Sequence, residues 1–118
     1  SFLKRRIRKM TVDGLLELGF TAAALPDGKR QLEGVYIGDL LSWVMGRASA
    51  DYAWITIMSN INIIAVATLA DTACIILAEG VTLPKDIIDT ANSKGVNILG
   101  SELPAYEIAC LLYESLKK

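Results

Sequence analysis

An apolar stretch of the chain covers residues 53–70, 18 positions in a row without a charge. That is close to the length of a membrane-spanning helix. Ser59, Asn60 and Asn62 interrupt the stretch, and residues of these types favour turns and helix N-caps. The pattern therefore predicts not one long helix but a strand at residues 52–58, a short helix at 63–69 and a strand at 73–78.

Hydrophobic periodicity places further elements on both sides of this centre. They are a helix at residues 12–18, strands at 20–25 and 32–37, a helix after Asp39, a helix from Pro84, a strand at 96–99 and a final helix after residues 100–104. From residue 32 onward strands and helices alternate, which is typical of a parallel sheet with right-handed crossovers. We therefore expect an α/β fold, a compact sandwich with a mostly parallel central sheet and helices on both faces.

Apolar residues at helical spacing predict which side of each helix faces the core. The predicted sets are Leu40, Leu41, Val44 and Met45 after Asp39, then Ile87, Ile88 and Ala91, and in the final helix Ala105, Ile108, Ala109, Leu112 and Leu116. Asp39 is expected at the N-terminus of its helix, where a carboxylate interacts favourably with the helix dipole.

Length and composition fit one folded domain. The chain has 118 residues, of which 53% are hydrophobic and 21% charged, and its net charge is −1. We expect a basic arm at residues 1–9 and a single domain at residues 10–118. The arm has two interpretations, an extension of the chain or a basic tail for nucleic acid or lipid. For the domain we expect no nucleic-acid partner and no membrane partner.

The sequence contains two cysteines and no histidine. Zinc sites of the Cys/His kind, histidine general bases and Ser–His or Cys–His nucleophilic pairs are therefore excluded. Cys74 and Cys110 lie in apolar runs, so both are predicted to be buried free thiols. A cytoplasmic location fits these thiols and the lack of a visible signal peptide. We expect no enzymatic activity, no cofactor and no metal.

Ligands of open α/β sheets bind beyond the carboxyl ends of the strands. Small and polar residues follow four predicted strands here, near helix N-termini that can hold an anion. The candidate ligand-binding residues are Gly38, Asp39, Ser59, Asn60, Asn62, Glu79, Gly80, Ser101 and Glu102. A nucleotide or a small anionic metabolite is the class of ligand this pattern suggests. The same residue types are also common in ordinary loops and N-caps, and the phosphate-binding signatures GxxxxGK[ST] and GxGxxG are absent.

Aromatic residues leave two interpretations open. Tyr52 and Trp54 share a face of the predicted strand, where they either pack in the core or stack on a base. Trp43 and Tyr106 are expected to cover an end of the sheet. An aromatic side chain left exposed there would indicate a partner interface rather than catalysis.

Three segments carry a resemblance to a known family. GVYIGDLLSWVMGRA, DYAWITIMSNINIIAVATLADTACIILAEG and GVNILGSELPAYEIACLLY resemble the DRTGG domain, specifically the small stand-alone DRTGG-domain proteins of anaerobic bacteria. The resemblance covers about residues 11–116. It implies a compact α/β module similar to the N-terminal domain of HPr kinase/phosphorylase. In the family such modules also accompany CBS domains in regulated pyrophosphatases, where they are regulatory or dimer-forming rather than catalytic.

The resemblance implies a non-catalytic regulatory or protein-interaction module that forms a homodimer. Because stand-alone members are encoded near iron-only hydrogenases, it also implies a redox-enzyme partner. The alternative is a sensor that binds a nucleotide or an anionic metabolite at the strand ends. The Asp-Arg and Thr-Gly-Gly motifs after which the family is named differ in this sequence. Asn60 and Ile61 stand where the family has Asp-Arg, and Ala78, Glu79 and Gly80 stand where it has Thr-Gly-Gly. The missing arginine would have been an anion contact.

Overall fold

The computed structural model describes residues 10–117, so the predicted basic arm at residues 1–9 lies outside the described residues. The elements in chain order are a 3-10 helix (Asp13–Leu18), β1 (Thr21–Ala24), β2 (Gly34–Ile37), α1 (Leu41–Arg47), β3 (Tyr52–Thr56), α2 (Asn62–Ala70), β4 (Cys74–Leu77), α3 (Lys85–Lys94), β5 (Ile98–Gly100) and α4 (Ala105–Leu116). The predicted order of strands and helices is confirmed, although all five strands are shorter than predicted. The assignment of residues 10–118 to a single domain stays a prediction.

Five strands form one sheet in the order β1-β5-β4-β3-β2. The strands from β2 to β5 run parallel to their neighbours. β1 pairs with β5 in the antiparallel direction, and the register shifts between Ala22 and Ala24. Each parallel strand follows its neighbour in sequence through one helix, as expected of crossover connections. The mostly parallel sheet is therefore confirmed, with β1 as an antiparallel edge.

Helices cover both faces of this sheet. On one face α1, α2 and α3 pack through Val44, Ile63 and Ile87. On the other face the 3-10 helix and α4 pack, the latter through Ile108 and Leu112. Successive strand residues point to opposite faces, so β3 and β4 contribute to both clusters. The predicted sandwich with helices on both faces is confirmed.

Trp54 belongs to the core and not to a base-stacking surface. Its side chain is fully buried, and its indole Nε1 donates a hydrogen bond to the carbonyl of Gly38 at 2.8 Å. The bond satisfies the one polar group of the ring and ties β3 to the residue that follows β2. Tyr52 is half-buried, and its ring lies so close to Gly34 that a Cβ there would be 2.7 Å from it.

α1 is less buried than its apolar spacing predicts. Val44 is buried and Leu41 half-buried, but Leu40 and Met45 are 56% and 42% exposed. The prediction was wrong for Leu40 and Met45 because α1 has only 7 residues and begins after Leu40. Such a short helix turns only one narrow side toward the core. In α3 and α4 the predicted inward residues are all buried or half-buried.

The two cysteines differ in exposure. Cys74 in β4 is buried, as predicted, and burial raises the pKa of its thiol to about 12. Cys110 is exposed, so the prediction that both thiols are buried was wrong. Cys110 lies in an apolar run, but on α4 it falls between the inward positions Ile108 and Leu112 and points to solvent.

At the amino ends of the parallel strands, one arginine joins three segments. Arg30 donates from Nε to the Asp51 carboxylate at 2.9 Å. Its NH2 group donates to the Asp71 carboxylate at 2.8 Å and to the Asp71 carbonyl at 2.6 Å. Both aspartates adopt left-handed backbone angles, φ 67° and 60°. Burial lowers the pKa of Arg30, but hydrogen bonds to Asp71 and Asp51 outweigh it, and the pKa is raised.

A buried asparagine performs a similar role near β5. Asn97 is 2% exposed, and its Nδ2 donates to the carbonyls of Asp27 and Ala73 at 2.8 and 3.0 Å. Its Oδ1 accepts a hydrogen bond from the Asp27 backbone N–H at 2.9 Å. The Asn97 side chain therefore connects the turn that contains Asp27 to the residues just before β4 and β5.

None of the helices formed by residues 10–117 has both the length and the apolar character needed to cross a bilayer. The apolar stretch at residues 53–70 instead forms most of β3 and all of α2.

We expect Arg30→Met to lower the free energy of unfolding by about 1.5–3 kcal/mol, because hydrogen bonds to charged groups contribute about this much. Urea denaturation followed by circular dichroism measures the change. Lys85→Met is the matched control, since Lys85 forms an exposed ion pair with Asp89 that is worth about 0.3–0.5 kcal/mol. Equal effects of the two substitutions would contradict the role assigned to Arg30.

We expect a thiol reagent to modify Cys110 in the folded protein and Cys74 only after unfolding. Cys74 is buried and keeps its proton at neutral pH, whereas thiolates are the reactive species. Mass spectrometry of protein alkylated with and without urea counts the modified thiols. A Cys110→Ser variant, the control, should take up no label until urea is added. Rapid labelling of Cys74 in the folded variant would show that β4 is not a buried central strand.

Candidate functional site

The predicted ligand-binding residues all lie beyond the carboxyl ends of β2 to β5, which form one rim of the sheet. The structure divides them into separate groups. Gly38 and Asp39 follow β2, and Ser59, Asn60 and Asn62 precede or begin α2. Glu79, Gly80, Ser101 and Glu102 follow β4 and β5. No hydrogen bond among the described residues joins one group to another.

Asp39 connects the ends of two neighbouring strands. Its Oδ1 accepts hydrogen bonds from the Thr56 hydroxyl at 2.7 Å and from the Ile57 backbone N–H at 3.0 Å. The Thr56 hydroxyl in turn accepts one from Met58 N–H at 3.2 Å. Asp39 makes no capping bond to α1, whose N-cap is Leu40. Asp39 does precede α1, but its carboxylate connects the ends of β2 and β3 and does not cap the helix.

The asparagines form a local turn before α2. Asn60 Oδ1 accepts a hydrogen bond from the Asn62 backbone N–H at 2.9 Å. Asn62 is the first residue of α2, and its N-cap, Ile61, makes no side-chain capping bond. Ser59, Asn60 and Asn62 are exposed. Their predicted role in ligand binding stays a proposal, since the observed contact is a backbone turn.

The third group is brought together by backbone hydrogen bonds. Glu79 and Gly80 both adopt left-handed angles, φ 62° and 73°. This turn lets Glu79 N–H donate to the Leu103 carbonyl and Gly80 N–H to the Ser101 carbonyl, both at 2.9 Å. Ser101 Oγ accepts a hydrogen bond from Leu103 N–H at 3.0 Å. A Cβ on Gly80 would lie 2.7 Å from Glu102 Oε1, so the absence of a side chain at Gly80 makes room for the Glu102 carboxylate.

Gly80, Ser101 and Glu102 line a cavity that we call the rim pocket, with a volume of about 250 Å³. Its lining comes from the ends of β4 and β5, the β4–α3 loop and β1: Gly19, Thr21, Ala22, Ala23, Leu77, Gly80, Val81, Thr82, Leu83, Ile88, Gly100, Ser101 and Glu102. Sequence reasoning found Gly80, Ser101 and Glu102 but missed the contribution of β1. β1 reaches the pocket by pairing antiparallel with β5, a contact that the periodicity of residues 20–25 does not indicate.

Glu102 is the ionisable side chain in the lining of the rim pocket. Within residues 10–117, it forms no ion pair and its carboxylate accepts no hydrogen bond. The rest of the lining is aliphatic or carries hydroxyls. The pocket therefore presents an acceptor for a hydroxyl, amino or ammonium group and no basic side chain for a phosphate. The described residues contain no cluster of three or more His, Cys, Asp or Glu that could hold a metal ion.

Two aromatic side chains expected to cover the sheet are exposed instead. Trp43 is 51% and Tyr106 76% exposed, so this prediction was wrong. Both lie on the outward sides of their helices. The guanidinium of Arg47 lies 3.7 Å from the centre of the Trp43 ring. Hydrogen bonding with Cys110 raises the pKa of Tyr106.

No family model matches the sequence, and no curated protein matches it. Among solved structures, the fold is similar to the crystal structure of the CBS and DRTGG domains of the regulatory region of Clostridium perfringens pyrophosphatase, complexed with the activator diadenosine tetraphosphate. The TM-score is 0.65 at 16% sequence identity. The match covers 80% of this chain and 42% of that chain.

At this identity the likeness shows the fold alone. This chain spans less than half the length of the solved regulatory region. The expectation of an α/β fold of the DRTGG or CBS kind is therefore confirmed. The similarity to the N-terminal domain of HPr kinase/phosphorylase stays a prediction.

We expect Gly80→Ala to lower the free energy of unfolding by about 1–2 kcal/mol, because an alanine at positive φ is strained and its Cβ would meet Glu102. In a Glu102→Ala background the loss should be smaller, since the close contact is gone. Urea denaturation of the four proteins measures both values. Gly46→Ala is the control: Gly46 lies in α1 with nothing near its missing Cβ, so this change should stabilise. The same loss at Gly80 in both backgrounds would contradict the contact with Glu102.

Proposed function

We propose that this chain is a non-catalytic regulatory module that responds to a small ligand bound in the rim pocket. The observation that carries the proposal is the Glu102 carboxylate, which stands in a preformed pocket without a partner among the described residues. Glu102 is exposed to solvent, so a ligand in the pocket can bond to its carboxylate without breaking a contact within the described residues. The position also agrees with the general location of ligands in open α/β sheets.

Pocket chemistry favours a ligand that donates hydrogen bonds. A carboxylate accepts strong, charge-assisted hydrogen bonds from hydroxyl, amino and ammonium groups and repels phosphate. The volume of about 250 Å³ is below the range of about 300–1,000 Å³ typical of pockets for drug-sized ligands. It suits one nucleobase or ribose, or a small amine. For a nucleotide we therefore place the nucleoside part in the pocket and the phosphates outside it.

Two further observations support binding rather than catalysis. The sequence has no histidine to serve as a general base. Cys74, the buried thiol, keeps its proton because burial raises its pKa to about 12, and a protonated thiol is a poor nucleophile. The similar solved structure is a regulatory region complexed with a nucleotide activator, which supports adenine nucleotides as the first class to test.

Titration calorimetry with adenosine, ATP, diadenosine tetraphosphate and inorganic phosphate tests the proposal. We expect binding of the adenosine-containing compounds and none of phosphate alone. Glu102→Gln should weaken binding about tenfold, because a neutral acceptor makes a weaker hydrogen bond. Glu79→Gln is the matched control, since it removes the same charge next to the pocket but outside its lining. At 100 times the dissociation constant, bound ligand should stabilise the fold by about 2.7 kcal/mol.

Binding that is equally weakened by Glu79→Gln and Glu102→Gln would show a general charge effect and contradict the site. Binding of inorganic phosphate alone would contradict the proposed ligand chemistry. Failure of this panel and of a panel of small amines to bind would remove the rim pocket as a regulatory site.

A second candidate function is a protein-interaction module that forms a homodimer. The observation that favours it is the set of exposed aromatic and aliphatic side chains outside the rim pocket, among them Ile37, Trp43, Tyr106 and Tyr113. Contiguous exposed apolar surface commonly marks an interaction site. A redox-enzyme partner, which the DRTGG resemblance alone implies, stays a prediction, and so does the cytoplasmic location.

A further inference from the structure

The rim pocket changes from apolar to polar between its floor and its opening. Leu77 and Leu83 line the pocket and are 1% and 9% exposed, so they form its buried floor. Thr82 and Glu102 also line it and are exposed, and Ser101 is half-buried. A ligand in this pocket therefore meets aliphatic side chains at its inner end and oxygen atoms at its outer end.

Small side chains keep the β1 side of the pocket open. Ala22 and Ala23 line the pocket with methyl groups, and both residues are exposed. The register of β1 shifts between Ala22 and Ala24 and leaves Ala23 without an opposite residue in β5. Bulges of this kind bend a strand and are common beside functional sites. Together with the aliphatic side chains of Val81 and Ile88, these methyl groups offer a surface against which the faces of an aromatic ring can be buried.

Backbone hydrogen bonds hold Glu102 at the opening. The carbonyls of its neighbours Ser101 and Leu103 accept hydrogen bonds from the N–H groups of Gly80 and Glu79, both at 2.9 Å. A Cβ on Gly80 would lie 2.7 Å from Glu102 Oε1 and 3.2 Å from Oε2. Both carboxylate oxygens therefore lie against this turn, and a carboxylate accepts hydrogen bonds through both of its oxygens.

We propose that the rim pocket takes a ribonucleoside with its base on the floor and its ribose 2′- and 3′-hydroxyls at Glu102. This inference rests on the proposed function and deepens it, because it names the orientation of the ligand and the group that Glu102 recognises. The order of base, ribose and phosphate along a nucleotide then matches the order of floor, opening and solvent along the pocket.

Burial and hydrogen-bonding capacity favour the ribose over the base as the partner of Glu102. The faces of a base gain most from burial against Leu77 and Leu83, the apolar part of the pocket. Two neighbouring hydroxyls supply two donors to one carboxylate, in charge-assisted hydrogen bonds. Acidic residues bind ribose hydroxyls in the same way in dinucleotide-binding α/β folds. Phosphates, which the carboxylate repels, are attached at the 5′ position and extend into solvent.

Titration calorimetry with adenosine, 2′,3′-dideoxyadenosine and inosine tests the orientation. We expect dideoxyadenosine to bind about tenfold more weakly than adenosine, because the hydrogen bonds to Glu102 are lost. Inosine lacks the amino group of adenine and should bind within about threefold of adenosine. In Glu102→Gln the difference between adenosine and dideoxyadenosine should fall to about threefold or less. In Glu79→Gln, the matched control outside the lining, it should remain about tenfold.

A second readout uses wild-type protein and does not depend on any variant. The ring current of an aromatic base shifts the nuclear magnetic resonance signals of methyl groups that lie against its faces. Bound adenosine should therefore shift the methyl signals of the lining residues Leu77, Leu83 and Ile88 to high field. Methyl signals that stay unchanged while adenosine binds would overturn the placement of the base on the floor.

The outcomes separate this inference from the proposed function. Strong binding of dideoxyadenosine together with weak binding of inosine would overturn the orientation, because the amino group of the base would then be the partner of Glu102. The proposed function would stand in that case, since adenosine still binds in the rim pocket. If adenosine, dideoxyadenosine and inosine all fail to bind, the inference is overturned together with the nucleoside ligand of the proposed function.

Discussion

The whole architecture depends on the burial of β3 and β4 on both of their faces. All residues of β4, and all of β3 after Tyr52, are buried. Strands of this kind must be covered on two sides. The three crossover connections place α1, α2 and α3 on one face, and α4 and the 3-10 helix close the other. Once both faces are covered, the described part of the sheet itself is open to ligands at its rims and edges.

The two rims are built differently. At the amino ends of the parallel strands, Arg30 binds two aspartates and a backbone carbonyl, and Asn97 fixes a turn with three hydrogen bonds. Polar groups there are used to hold segments together. At the carboxyl ends, the backbone turn at Gly80 brings Glu102 into a pocket, where its carboxylate has no partner among the described residues. This contrast supports the proposal that a ligand binds at the carboxyl-end rim.

Much of the fold could be predicted because its signals are local. Apolar runs bounded by polar residues and glycine predict β3, β4 and α2, and their alternation predicts a parallel sheet. It was harder to predict which side of each helix is exposed to solvent. Cys110 and Tyr106 lie in an apolar sequence but on the outward side of α4, and Trp43 lies on a helix too short to turn two sides inward. Periodicity gives the relative direction of side chains, whereas burial depends on how far the neighbouring elements extend.

The candidate site could be predicted only in part. The carboxyl ends of parallel strands meet at one rim, so Gly80, Ser101 and Glu102 could be named from the sequence. The sequence could not show that Asp39 would bond to Thr56 and Ile57, since that depends on the register of β2 against β3. It also could not show that β1 would line the pocket. That contact comes from antiparallel pairing between strands about 75 residues apart, which no local pattern encodes.

The proposed function depends on a ligand that binds at the rim where Glu102 lies. The most direct measurement is a map of backbone amide chemical shifts, by nuclear magnetic resonance, during titration with adenosine. We expect the shift changes to concentrate on Thr21, Gly80 and Ser101 around the rim pocket. Shifts that concentrate instead around Arg30, Asp51 and Asp71 at the opposite rim would contradict it.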